Sequence, residues 1–139
     1  MNPTTFIIVN DDAINNMVCK MAIERHFGPA NVYSYQDPNA ALEAISLQFA
    51  GQNCPVVIFL DLSMPHMSGW DFLERFTFLE AIPQQYTIFI LSSSTQPADK
   101  VRAESHPMVS GFISKSLTEK KLAEAFRGLP EAYGVRCFA

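Results

Sequence analysis

The sequence predicts an α/β domain built on a five-stranded parallel sheet, with helices on both faces. Three observations carry this. β-rich runs alternate with helix-patterned segments five times along 139 residues. The runs IIV, VVIFL and TIFIL are apolar at every position, as strands buried on both sides are. Helical stretches and strands follow one another with short connections, which leaves few topologies.

Thr5 to Val9 is the first β-rich run. From Ala13 to Phe27 apolar residues recur at Ile14, Met17, Val18, Met21, Ala22 and Phe27, a helical spacing stopped by Gly28-Pro29. Asn31 to Tyr35 alternates like a strand near a sheet edge. Asp37 to Ala50 is helical, with Ala40, Ala41, Leu42, Ala44, Ile45 and Leu47 as its apolar residues. Pro55 to Leu60 is the second strongly apolar strand. Ser68 to Ala81 is a helix carrying Trp70, Phe72, Leu73, Phe76 and Leu79. Tyr86 to Leu91 is a strand, Pro97 to Ser105 a weak helix, and Val109 to Ser114 the last strand. Leu117 to Arg127 is a helix in which Leu122, Ala123 and Phe126 share a face.

Composition narrows the function. Hydrophobic residues make up 48% and charged ones 17%, enough apolar material for one core and too much for a disordered chain. The formal charge of -4 gives no broad attraction for nucleic acid or an anionic membrane. No run approaches the roughly 18 apolar residues of a membrane helix. The start has no basic region and only a short apolar run, so no signal peptide is expected and the chain reads as cytoplasmic. Residues 1–139 form one domain, with a core of about 5–127 and a short tail 128–139. Cys19, Cys54 and Cys137 are odd in number and lack CxxC spacing, which argues against a disulfide framework or structural zinc. Cys19 reads as a small core residue on a helix.

In such a sheet the loops after the strands gather at one edge, where ligands bind. Strand 1 ends in Asn10-Asp11-Asp12, strand 3 in Asp61, strand 4 in Ser92-Ser93-Ser94 and strand 5 in Lys115. Three carboxylates, a hydroxyl cluster and an ammonium would share one crevice. Acids held together call for a cation, and oxygen ligands suit Mg²⁺. Asp12 is equally well placed to N-cap the first helix. A carboxylate beside Mg²⁺ can attack a phosphoryl group, with hydroxyl and cation meeting its oxygens. Asp61 is then the nucleophile, Asp11 and Asp12 hold Mg²⁺, and Ser92 and Lys115 each meet a phosphoryl oxygen.

The stretches "IIVNDD" (7–12), "FLDLSMPHMSGWDFL" (59–73), "IFILSSS" (88–94) and "GFISK" (111–115), in this order, resemble the receiver domain of two-component response regulators. The resemblance implies a flavodoxin-like (βα)5 sheet of strand order 2-1-3-4-5. It implies that Asp61 is phosphorylated, that Asp11 and Asp12 are the acidic pair at Mg²⁺, and that the Ser63 carbonyl is a third protein ligand beside Asp61. Ser92 matches the switch hydroxyl, Phe112 the aromatic that changes rotamer with it, and Lys115 the phosphate-binding lysine. Ser63 and Ser94 occupy the positions that tune phosphoryl lifetime. The implied donor is a sensor histidine kinase or a phosphotransfer protein. The implied output is an unnamed protein bound on the helix 4–strand 5–helix 5 face, about Pro97 to Phe126, with a homodimer through that face as a further option.

Two departures stand out. Ser116 follows Lys115 where the family usually has a cis proline. A non-proline cis bond costs about 3 kcal/mol, so a trans peptide and a shifted loop are admissible there. Ser105-His106-Pro107-Met108 replaces the usual small-residue turn before strand 5. Other classes fit less well. A pseudo-receiver acting only as a binding module would not need the intact acids, Ser92 and Lys115. An aspartyl-phosphate phosphatase usually has a second acid where Ser63 stands. A flavin-binding domain would place hydroxyls after strand 1. No GxSxG, GxGxxG or P-loop is present. The chain ends soon after helix 5, which leads one to expect output by protein contact.

Overall fold

The computed structural model describes residues 4–49, 55–79, 86–93 and 96–127. Five strands, β1 (Thr5–Val9), β2 (Asn31–Tyr35), β3 (Val56–Leu60), β4 (Tyr86–Ser92) and β5 (Val109–Ser114), form one sheet. Its order is β2-β1-β3-β4-β5, with every pairing parallel. The helices are α1 (Ala13–Phe27), α2 (Pro38–Ala44), α3 (Gly69–Thr77), α4 (Pro97–Ser105) and α5 (Glu119–Phe126). This is the predicted flavodoxin-like architecture.

Side chains alternate across the sheet and build two cores. Ile7, Val9, Ile58, Leu60, Ile88 and Ile90 face α2, α3 and α4, meeting Leu42, Phe72, Phe76 and Ala103. Phe6, Ile8, Val57, Phe59, Phe89 and Leu91 face α1 and α5, meeting Ile23, Phe27, Leu122 and Phe126. Phe6, Phe59 and Phe89 stack in a row across β1, β3 and β4. β1 and β3 are buried at every position, which is why their sequences show no alternation. β2, at the edge, is half-exposed.

The expected apolar face of α1 is buried only in part: Ala22 and Phe27 turn inwards as expected. Ile14, Met17, Val18 and Met21 are exposed, whereas Asn16, Cys19, Ala22, Ile23 and Phe27 are buried. Cys19 is indeed a core residue. α2 is shorter than its pattern and continues as one wider, π-type turn, Ile45–Phe49, leaving Leu47 exposed. On α5, Leu122 and Phe126 are buried and Ala123 is exposed. Cys54, Ser94, Cys137 and the tail 128–139 lie outside the described residues.

Candidate phosphoacceptor site

The site is assembled by the last rung of the sheet. The parallel ladder runs one residue beyond β1, β3 and β5: Asn10 N–H donates to the Tyr35 carbonyl at 3.0 Å, Asp61 N–H to Val9 at 2.9 Å, and Lys115 N–H to Ser92 at 3.0 Å. Three polar residues are therefore fixed in backbone position by the pairing that holds the core.

Asp61 is buried, with 4% of its side chain exposed, and its Oδ2 lies 3.3 Å from Lys115 Nζ. Its Oδ1 accepts from the Ser63 N–H at 3.4 Å. Burial pushes the Asp61 carboxyl above the usual carboxylate range. The Lys115 charge and hydrogen bond, then the Ser63 N–H, pull it down, and the Asp11 charge raises it. Asp61 is thus a carboxyl in a dry place with one ammonium set against it.

Gly69 makes that placement compatible with α3. A Cβ there would come within 2.5 Å of the Asp61 carbonyl oxygen and 2.9 Å of Leu62 Cα. Gly69 N–H donates to the Leu62 carbonyl at 2.9 Å, closing the loop. Ser68 and Asp71 cap α3 reciprocally, as a capping box. Within the loop His66 takes φ 70°, and it is exposed.

The first strand end departs from expectation. Three carboxylates do not meet: among the described residues no group of three or more Asp, Glu, His or Cys side chains is arranged to hold a metal ion. Asp12 Oδ1 accepts from the backbone N–H groups of Ile14 and Asn15 at 3.0 and 3.1 Å, so it caps α1. The acid felt at Asp61 is Asp11. Asn10, fully buried, takes the inward position that the sequence pattern left to an acid. The signal for it was a buried amide at a strand end, with Asn15 and Asn16 close behind. The oxygen donors that remain, the Asp11 and Asp61 carboxylates and the Ser63 carbonyl, are of the class Mg²⁺ accepts.

Ser92 is buried at the end of β4, opposite Ser114 of β5. Phe112 is half-buried, pairs with Ile90 and packs on the α2/α3/α4 side. The Lys115–Ser116 peptide is cis, contrary to the trans bond the sequence admitted. Lys115 reaches Asp61 all the same. Beyond the crevice, Arg102 of α4 lies 4.2 Å over the Trp70 ring at the start of α3, and His106 stacks 6.4 Å from it.

Residues 6–127 match the family model of the response regulator receiver domain. The chain belongs to that family. The receiver is 28% identical over 134 residues to a probable methanogenesis regulatory protein, FilR2, of Methanothrix harundinacea, covering 94% of this chain and 83% of that one. It is 30% identical over 101 residues, 73% of its length, to a protein-glutamate methylesterase/protein-glutamine glutaminase of Photorhabdus laumondii, of which it spans only 26%. In structure it resembles a two-component response regulator of Cytophaga hutchinsonii, with a TM-score of 0.81 and 25% identity, covering 91% of this receiver and 96% of that chain. A receiver of this family implies phosphorylation-dependent signalling in a two-component system. Among the described residues no helix is long and apolar enough to cross a membrane.

Proposed function

We propose that this receiver is switched by phosphorylation of Asp61. The observation that carries this is the buried Asp61 carboxylate paired at 3.3 Å with Lys115 at the strand-end edge of the sheet. The donor is the phosphorylated histidine of a sensor kinase or phosphotransfer protein. The phosphorus–nitrogen bond breaks as the Asp61 oxygen attacks, and the imidazole leaves with its electron pair and takes up a proton. Lys115 and the Ser92 hydroxyl meet the phosphoryl oxygens as negative charge shifts onto the new group. Asp11, Asp61 and the Ser63 carbonyl would hold Mg²⁺, which supplies charge neutralisation on those oxygens. Asp12 serves the α1 cap instead.

The donor has to reach a buried carboxylate, so it docks beside the crevice. α1 offers Ile14, Met17, Val18 and Met21, all exposed, next to a groove of about 350 Å³ between α1 and the segment Ser116 to Glu119 that follows Lys115. That stripe suits an apolar helix face of the donor. Output follows as a population shift of Ser92, Phe112 and the α4–β5–α5 face towards a partner-binding arrangement. A pseudo-receiver would gain nothing from the Lys115–Asp61 pair.

The linkage itself is the test. An aspartyl phosphate is cleaved by hydroxylamine to leave a hydroxamate on Asp61, whereas a serine ester resists. Release of all bound phosphate, with the hydroxamate mapped to Asp61, supports the proposal; hydroxylamine-stable phosphate rejects it.

A further inference from the structure

Asn10 has no part in the acid pair or in the phosphoryl-binding pair, yet it is fully buried between them. Each of its polar groups is engaged. Its carbonyl accepts from Asn16 Nδ2 at 2.9 Å. Its own Nδ2 donates to Asn15 Oδ1 at 3.1 Å, an oxygen that also faces the Cys19 thiol at 3.6 Å. Its Oδ1 accepts from Lys115 Nζ at 3.4 Å and, more weakly, from the Asp12 N–H at 3.5 Å. The amide is therefore oriented: nitrogen towards α1, oxygen towards the ammonium. Lys115 is held from two sides, by one neutral oxygen and one carboxylate.

We infer that Asn10 is a positioning residue of the acceptor site, holding Lys115 over Asp61 and limiting the crevice to two carboxylates. An aspartate has nearly the same shape and would add one negative charge beside Asp11 and Asp61. It would share Lys115 with Asp61 and strengthen the pull on a divalent cation. The neutral amide keeps the ammonium committed to Asp61 and keeps cation binding weak. What this does to a phosphoryl group rests on the proposed function; the effect on cation binding does not.

The experiment is a calorimetric Mg²⁺ titration of the full chain and of Asn10→Asp, with thermal melting alongside. The variant should bind Mg²⁺ about tenfold tighter or more. Equal affinities overturn the inference, since a purely structural Asn10 would move only the melting temperature. Should Asn10→Asp not fold, the wild type carries the test by NMR. The Asn10 side-chain amide and the Lys115 Cε signals should shift together with one midpoint as Mg²⁺ is added. A stationary Asn10 amide overturns the inference. The same wild-type sample is then treated with a small phosphodonor and weighed. No phosphate there removes the proposed function and leaves the cation result standing.

Discussion

The Lys115 ammonium stands 3.3 Å from the Asp61 carboxylate, although β4 separates the strands that carry the two residues. The pair is set by backbone, since Asp61 and Lys115 each occupy the rung just past a strand. Lys115 is the largest influence opposing burial at Asp61. Its loss should raise the Asp61 carboxyl further and leave the transferred oxygens without the ammonium that meets one of them. Lys115→Met is expected to slow phosphorylation by a small donor about tenfold or more. Stopped-flow or quench-flow mass measurement reads this, and an unchanged rate would detach Lys115 from the chemistry.

Burial has a consequence for pH. The unfolded Asp61 carboxyl titrates near 3.8, and the folded one higher. Between those values the folded chain binds more protons than the unfolded one. Stability therefore falls as pH rises through that window, and the loss persists above it. Asp61→Asn has no proton to give up. In Mg²⁺-free buffer the variant should be more stable than wild type at pH 7, with the difference shrinking as pH drops towards the unfolded value. Urea unfolding at a series of pH values checks this; a difference that grows on acidification contradicts it.

Gly69 faces the backbone of Asp61 and Leu62 with no room for a methyl group. The obstacle is backbone, which cannot swing aside as a side chain can. Gly69→Ala should cost about 1–3 kcal/mol and displace the loop that carries Asp61. A urea midpoint equal to wild type would show that the loop yields freely.

Met17 and Met21 are exposed on α1. Glutamate at either position should change stability by less than about 0.5 kcal/mol. If the donor docks there, Met17→Glu and Met21→Glu will slow transfer from a phosphotransfer protein that phosphorylates the wild type, by about tenfold or more. Phosphorylation by a small donor will be unaffected. Equal slowing with both donors would place the effect inside the site, away from docking.

The fold was legible because its central strands are saturated with apolar residues and end abruptly in polar ones. Val56 to Leu60 followed by Asp61 admits few alternatives. The orientation of α1 was legible only in part: Cys19, Ala22 and Phe27 read as inward and are buried. Periodicity did not show that Ile14, Met17, Val18 and Met21 look outward while Asn16 turns to the sheet. Asn16 can do so because its Nδ2 finds the Asn10 carbonyl. The strand end Asn10-Asp11-Asp12 was ambiguous for a related reason. Successive residues leaving a strand point in different directions, so composition alone cannot say which enters the crevice. Asp12 Oδ1 accepts from two N–H groups of α1, the capping role that the sequence offered beside the metal one.

Under the proposed function the carboxylate at the end of β3 accepts the phosphoryl group. Intact mass after incubation with Mg²⁺ and a small phosphodonor tests it most directly, on wild type and Asp61→Asn side by side. A gain of one phosphoryl group by the wild type alone is the predicted result. Equal gain by both proteins, or no gain by a wild type that binds Mg²⁺, would contradict it.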